Sequence, residues 1–271
     1  MAYSLTEIRT RTRRDPAAFL AECDEAYQAR IRHAAGVIVQ RMEKSPIVLL
    51  SGPSGSGKTT SALKLEEELE RRGVNTHTVS LDNYFHAPSH PAAPRTPEGD
   101  IDFESPRMLD MALLDETFTR LSQGEEVTIP RFEFSRQMRN DAKGWPLRLR
   151  DNGVAIFEGI HALNPELTGL VKGDDVYRIY AGLREEYCID GRRVINTQDI
   201  RLCRRTLRDA AARGRSPAKT LAMWDRVLDG ETRYIKGFKT TADFLLDTSF
   251  TYELGLIAKL LRPVSQRFTL E

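Results

Sequence analysis

The chain has 271 residues, and 40 Lys plus Arg nearly balance 39 Asp plus Glu, for a formal net charge of +1. That balance excludes a globally basic nucleic-acid binder and an acidic disordered chain, while 40% hydrophobic residues suffice for a sizeable core. No apolar run approaches the ~20 residues that span a bilayer. Three scattered cysteines, Cys23, Cys188 and Cys203, form no CxxC pair, which fits a reducing, cytoplasmic setting rather than a disulfide scaffold or a zinc site.

The N-terminus lacks the apolar core of a secretory signal. Arg9, Arg11, Arg13 and Arg14 have the flavour of a transit segment, but Glu7, Asp15, Glu22 and Asp24 contradict it. Asp15-Pro16 marks a helix start, a capping carboxylate followed by proline at the first helical position. Phe19, Leu20, Cys23, Ala26, Ile31, Ala34 and Ile38 then carry a helix to about Lys44, and Ser45-Pro46 ends it. Residues 1–45 therefore read as a helical N-terminal extension and residues 46–271 as one α/β domain. Ile47-Val48-Leu49-Leu50 is a short apolar run typical of a strand buried on both faces. A helix over Thr59–Arg72, closed by Gly73, and a strand over Val74–Leu81 complete a βαβ unit, which implies a parallel sheet. Pro88, Pro91, Pro94 and Pro97 make residues 86–99 a stiff loop. A helix over Met108–Leu121 precedes a hairpin of strands Glu126–Phe134 and Trp145–Arg150, joined by a polar, basic turn. Val154–Phe157, Val176–Tyr180 and Phe244–Leu246 are further buried strands, and helices are expected over Gln198–Arg213, Pro217–Leu228 and Tyr252–Leu261.

Gly52-Pro53-Ser54-Gly55-Ser56-Gly57-Lys58-Thr59 fits G-x-x-x-x-G-K-[ST] and lies between an expected strand and helix, the context the pattern requires. Glycines let successive backbone N–H groups turn toward phosphate oxygens, and the helix start adds positive field. Lys58 is placed to reach the β- and γ-phosphates, and the Thr59 hydroxyl to ligate Mg²⁺. Asp82 leaves the carboxyl end of the next strand, where it can accept a proton from an attacking hydroxyl; a plain turn cap is the alternative. Glu158 ends the Val154–Phe157 strand and is a candidate for a second Mg²⁺ contact, direct or through water. Arg201, Arg204, Arg205 and Arg208 follow an i, i+3, i+4, i+7 pattern and share one helical face, with Arg213 and Arg215 just beyond and only Asp209 offsetting them. A triphosphate is the anion such a face suits, and a solvated or RNA-contacting basic face is the alternative. His161 lies near these groups and reads as structural.

In this order the segments resemble uridine kinase and its phosphoribulokinase-like relatives among the P-loop kinases, over roughly Pro46–Arg262. Gly52–Thr60 is similar to the family's phosphate loop, Ser80-Leu81-Asp82-Asn83-Tyr84-Phe85 to its S-L-D-D-Y-Y segment, and Asp102-Phe103-Glu104-Ser105-Pro106 to its N-F-D-H-P element. Pro130-Arg131-Phe132-Glu133-Phe134 resembles P-x-Y-D-F, Glu158-Gly159-Ile160-His161-Ala162-Leu163 resembles E-G-I-L-A-L, and Arg201 through Ser216 resembles the family's lid; Ala242-Asp243 also fits. The resemblance implies a P-loop NTPase-type parallel sheet flanked by helices, with an inserted β-hairpin and an arginine-rich helical lid.

It further implies ATP as donor, Mg²⁺, and a small-molecule hydroxyl acceptor, the 5′-OH of a nucleoside such as uridine or cytidine. Asp82 inherits the role of base, and Lys58, Arg204 and Arg208 that of stabilising the transferred group. Gly52, Ser54, Gly55, Ser56, Gly57, Lys58, Thr59, Thr60, Arg213 and Arg215 would surround the nucleotide. Tyr84, Phe103, Glu104, Phe132, Gln137 and Arg201, with Asp82, would line the acceptor pocket; Thr59 and Glu158 would hold the metal. The family also suggests a homo-oligomer. Its Tyr and Asp in P-x-Y-D-F are Phe132 and Glu133 here, and its base-reading histidine is replaced by Gln137. The nearest likeness is to a bacterial branch in which a TGS-type region precedes the kinase; Met1–Lys44 takes that place here. Two other readings remain: a kinase of another polyol (sugar, cyclitol or sugar phosphate), and a nucleotide-gated RNA-binding or regulatory module. A membrane partner is not expected, and nucleic acid is disfavoured.

Overall fold

The structure, a computed structural model, describes residues 2–133, 136, 138–171 and 176–265. In chain order these form β1 (Ala2–Ser4), α1 (Leu5–Arg14), α2 (Pro16–Arg41), β2 (Ile47–Ser51), α3 (Lys58–Arg71) and β3 (Asn75–Ser80). Then come α4 (Met111–Ser122), the strands β4 (Val127–Glu133), β5 (Met138–Leu147) and β6 (Gly153–Glu158), and the short α5 (Pro165–Thr168). β7 (Tyr177–Gly182), β8 (Glu186–Ile189) and β9 (Arg192–Ile195) lead into α6 (Thr197–Ala212), α7 (Pro217–Ala222) and α8 (Trp224–Tyr234). β10 (Phe244–Asp247) and α9 (Glu253–Ser265) close the series.

The main sheet has the order β10-β7-β2-β6-β3, every neighbouring pair parallel. All five residues of β2 are buried, as expected for a strand covered on both faces. Alternation divides its side chains: Ile47 and Leu49 join one core with Phe118, Ile129 and Phe157, under α4 and the β4–β5 hairpin. Val48 and Leu50 join the other, with Ala62, Leu65 and Leu69 of α3 and Tyr27, Ile31, Ala34 and Ile38 of α2. Asp15 caps α2 by accepting from the Ala18 amide at 3.0 Å, with Pro16 in the first turn. The N-terminal helix therefore supplies core residues to the sheet it precedes. A second sheet, β1-β8-β9, pins the N-terminal strand beside α6 and α9 over a small core of Tyr187, Ile200 and Ile257. No helix among the described residues is long and apolar enough to cross a membrane.

Several boundaries differ from the sequence reading for local reasons. α4 starts at Met111 because the Asp110 side chain caps it, accepting from Leu113 at 3.1 Å; Pro106–Met108 form a separate 3₁₀ turn. The basic turn of the hairpin is largely strand: β5 begins at Met138, held by cross-strand contacts of Glu133 with Lys143 (2.6 Å) and Asn140 (3.2 Å). The single helix expected over Pro217–Leu228 is two, broken at Met223.

Candidate active site

The loop between β2 and α3 is shaped by close approach. A Cβ on Gly52 would stand 2.0 Å from the Ala181 carbonyl oxygen; one on Gly55, at φ 74°, would stand 2.4 Å from that of Arg201. Only glycine fits these two positions, which presses the loop against β7 on one side and α6 on the other. α3 begins without a side-chain cap, so its first N–H groups remain available to an anion. The buried Ser56 hydroxyl has no hydrogen-bond partner, and the Lys58 ammonium donates to the Pro53 carbonyl at 3.3 Å. Burial pulls the Lys58 pKa below the ordinary lysine value, with Glu158 and Asp82 opposing. These are the donors a phosphate group would engage. Thr60 is exposed on the first turn of α3.

Beside Lys58, the Thr59 hydroxyl donates to Glu158 Oε1 at 2.9 Å. Burial raises the Glu158 pKa, and Lys58 opposes the rise. One hydroxyl and one carboxylate are hard oxygen donors of the sort Mg²⁺ accepts when phosphates and water complete its shell. Among the described residues no group of three or more His, Cys, Asp or Glu could hold a metal by itself.

On the other side, a 3₁₀ turn over Leu81–Tyr84 carries Asp82 off the end of β3, where its charge is felt by Lys58, Glu158, Glu104 and Arg213. Asn83 accepts from the Phe132 amide at 3.0 Å and ties the hairpin to this turn. Phe103 and Phe132 both pack on Phe85, with centroids 6.5 and 5.8 Å away. Burial lifts the Glu104 carboxyl to about 7 against the attraction of Arg205. Tyr84 is placed differently: it is fully buried, and its hydroxyl donates to Thr117 at 3.3 Å, inside the core. Gln137 lies outside the described residues.

His161, passed over as structural, is 1% exposed, and neither imidazole nitrogen completes a hydrogen bond. The Glu104 backbone is a polar neighbour, and burial lowers the His161 pKa to about 3, so the ring is neutral. Its position after Glu158-Gly159-Ile160 was the available signal.

The arginine face of α6 is neutralised partly from α8 and α9 and partly by Asp209 of α6 itself. Arg201 donates to Glu231 of α8 at 2.7 Å, both side chains being buried, and reaches the Ser54 carbonyl at 3.4 Å. Arg204 pairs with Glu253 of α9 and donates to the Thr248 carbonyl at 2.8 Å. Arg205 donates to the Ser54 hydroxyl at 2.7 Å. Arg208 (2.8 Å) and Arg215 (3.4 Å) converge with Arg213 (3.8 Å) on the fully buried Asp209. Burial alone would raise the Asp209 pKa, but Arg208 and its companions hold it below the usual range. Glu231 and Glu253 were not legible as partners, because each lies 30 or more residues beyond its arginine. Arg208 and Arg213 are the lid residues whose charges reach Lys58, and burial lowers Arg213 to about 10.

The sheet order and the loop at the head of β2 place this chain among the P-loop kinases. Residues 47–180 match the model of the Phosphoribulokinase / Uridine kinase family, which the chain resembles, and the chain is a kinase, a phosphotransferase acting on a hydroxyl group. It is similar to the uridine kinase of Shewanella frigidimarina, 29% identical over 208 residues that cover 74% of this chain and 86% of that protein. The uridine kinase of Macrococcus caseolyticus is 27% identical over 207 residues, 76% of this chain and 89% of that one. Two solved structures share the fold. A candidate fructose transport system kinase from a Silicibacter species has TM-score 0.57 and 19% identity over 79% of this chain and 98% of that one. A possible uridine kinase from Bacillus stearothermophilus has TM-score 0.55 and 17% identity over 81% and 98%. Kinases of this family use ATP.

Proposed function

We propose that this chain transfers the γ-phosphate of ATP to the 5′-OH of a pyrimidine nucleoside. The observation that carries the reading is the shared field of Lys58, Asp82 and Glu158 at three neighbouring chain turns over the ends of β2, β3 and β6. In this reading Asp82 accepts the hydroxyl proton while Lys58 holds the phosphates against the loop amides. Gly52, Ser54, Gly55, Ser56, Gly57, Thr59 and Thr60 frame the donor. Arg208, Arg213 and Arg215 exchange Asp209 for the phosphoryl oxygens, and Arg204 exchanges Glu253; positioning and charge stabilisation supply most of the rate. Mg²⁺, when bound, neutralises charge on the phosphates, and Thr59 and Glu158 are the residues that would hold it.

Phe103 and Phe132 offer a planar acceptor apolar walls, and Glu104 offers a hydroxyl-binding carboxyl. The names of the similar uridine kinases support a pyrimidine nucleoside. A second reading, another polyol, is favoured by His161 beside the Glu104 backbone, since a buried neutral imidazole suits hydroxyl groups of any sugar or cyclitol. Residues 46–271 are the kinase domain in this account, with residues 1–45 bracing it. The three free cysteines fit work in the cytoplasm. ADP release measured against nucleosides, sugars and cyclitols tests the assignment. Turnover with uridine or cytidine above all others is the expected result. Turnover with a sugar or cyclitol alone selects the second reading, and turnover with none, together with tight RNA binding, overturns both.

A further inference from the structure

A cavity of about 330 Å³ opens on the outer side of the phosphate loop, between the ends of β7 and β10, the start of α6 and the turn that follows α8. It is distinct from the cradle: Pro53 is the loop residue on its wall, and Lys58, Asp82 and Glu158 do not line it. Its floor is apolar, with Tyr180 and Leu245, while Arg184, Arg201, Lys236 and Lys239 line it against a single acid, Glu231. That acid is already committed. It binds Arg201 at 2.7 Å and stands 3.8 Å from Lys236. Lys239 lies over the Tyr180 ring at 5.6 Å, and the Arg184 guanidinium has no ion-pair partner among the described residues.

Four cations around one carboxylate leave three uncompensated positive charges in a chain whose total is +1. Lys236 and Lys239 are exposed, so water screens part of this repulsion, and an anion seated among the four cations relieves the rest. Pockets of roughly 300–1,000 Å³ with apolar floors and a few converging polar groups are where small molecules bind. A dianionic head matches the excess charge better than a carboxylate does, and guanidinium and ammonium groups are the usual phosphate partners.

We propose that this cavity is a second, non-catalytic binding site for a small organic phosphate monoester. Its phosphate sits among Arg184, Lys236 and Lys239, and its planar or apolar body lies on the Tyr180–Leu245 floor. The claim does not depend on the acceptor assigned above, because it is read by binding alone.

The test is calorimetric titration of the full chain with phenyl phosphate, with the phosphate loop blocked by excess non-hydrolysable ATP analogue and Mg²⁺, and in parallel in Lys58→Ala. Saturable one-to-one binding is expected under both conditions. It should weaken at least about tenfold when Arg184, Lys236 and Lys239 are all changed to Gln. Should that triple variant melt early, Arg184→Gln and Lys236→Gln alone are each expected to weaken binding about threefold. Benzoate should bind more weakly than phenyl phosphate, and benzyl alcohol not measurably. No binding to the wild-type chain, binding that disappears when the loop is blocked, or binding untouched by the Gln substitutions overturns the proposal. So does benzoate binding as tightly as phenyl phosphate.

Discussion

Replacing Glu104 with glutamine removes one titration from the acceptor side of the site while keeping the shape of the side chain. The carboxyl is lifted from 4.5 to about 7, first by burial and against Arg205. At about 1.4 kcal/mol per pH unit, that rise corresponds to up to about 3 kcal/mol. The sign follows from proton counting. Between 4.5 and about 7 the folded chain keeps a proton on Glu104 that the unfolded chain has released, so folding stability falls as pH rises through that window and is flat above it. Glu104→Gln cannot titrate and escapes the loss. Urea unfolding near pH 5 and near pH 8 should therefore show the variant gaining on wild type by up to about 3 kcal/mol between the two conditions. Other acids cancel in the difference. An offset between the two proteins that is the same at both pH values would refute the burial argument for this carboxyl.

Other consequences can be checked separately. Arg201→Ala leaves the buried Glu231 with only Lys236, 3.8 Å away, among the described residues and should cost up to about 3–5 kcal/mol in urea unfolding, whereas Arg201→Met combined with Glu231→Leu should recover most of that loss. Ile31→Ala, in the part of α2 that packs on the sheet, should cost about 2–5 kcal/mol; a neutral effect would detach this helix from the core. Gly52→Ala should weaken ATP binding and lower the melting temperature together, since its Cβ meets backbone rather than a movable side chain. Glu158→Gln should raise the Mg²⁺ concentration needed for half-maximal turnover, measured at fixed ATP.

What the sequence disclosed and what it withheld divide along the range of the interactions. Residues 52–59 were legible because a phosphate cradle is built from consecutive backbone groups, so its demands are written locally. β2 and β6 were legible because strands buried on both faces carry near-continuous apolar runs; in β7 the run is interrupted by Arg178. The first half of β5 was not, because Arg139 to Lys143 carry no apolar alternation and are held by ion pairs to Asp110 and Glu133. β1, β8 and β9 are three or four residues long and too short to show a period. The lid arginines were seen as a face, but their partners on α8 and α9 are set by tertiary packing. Tyr84 shows the converse: a residue beside a chemical motif can belong wholly to the core.

The central claim is that Asp82 removes the acceptor proton in a phosphoryl transfer organised by Lys58. Single-turnover transfer from ATP to the acceptor selected by the panel, compared between wild type and Asp82→Asn, tests it most directly. The account predicts a fall in the transfer rate of at least about a hundredfold with ATP affinity unchanged. Wild-type transfer by Asp82→Asn would contradict it.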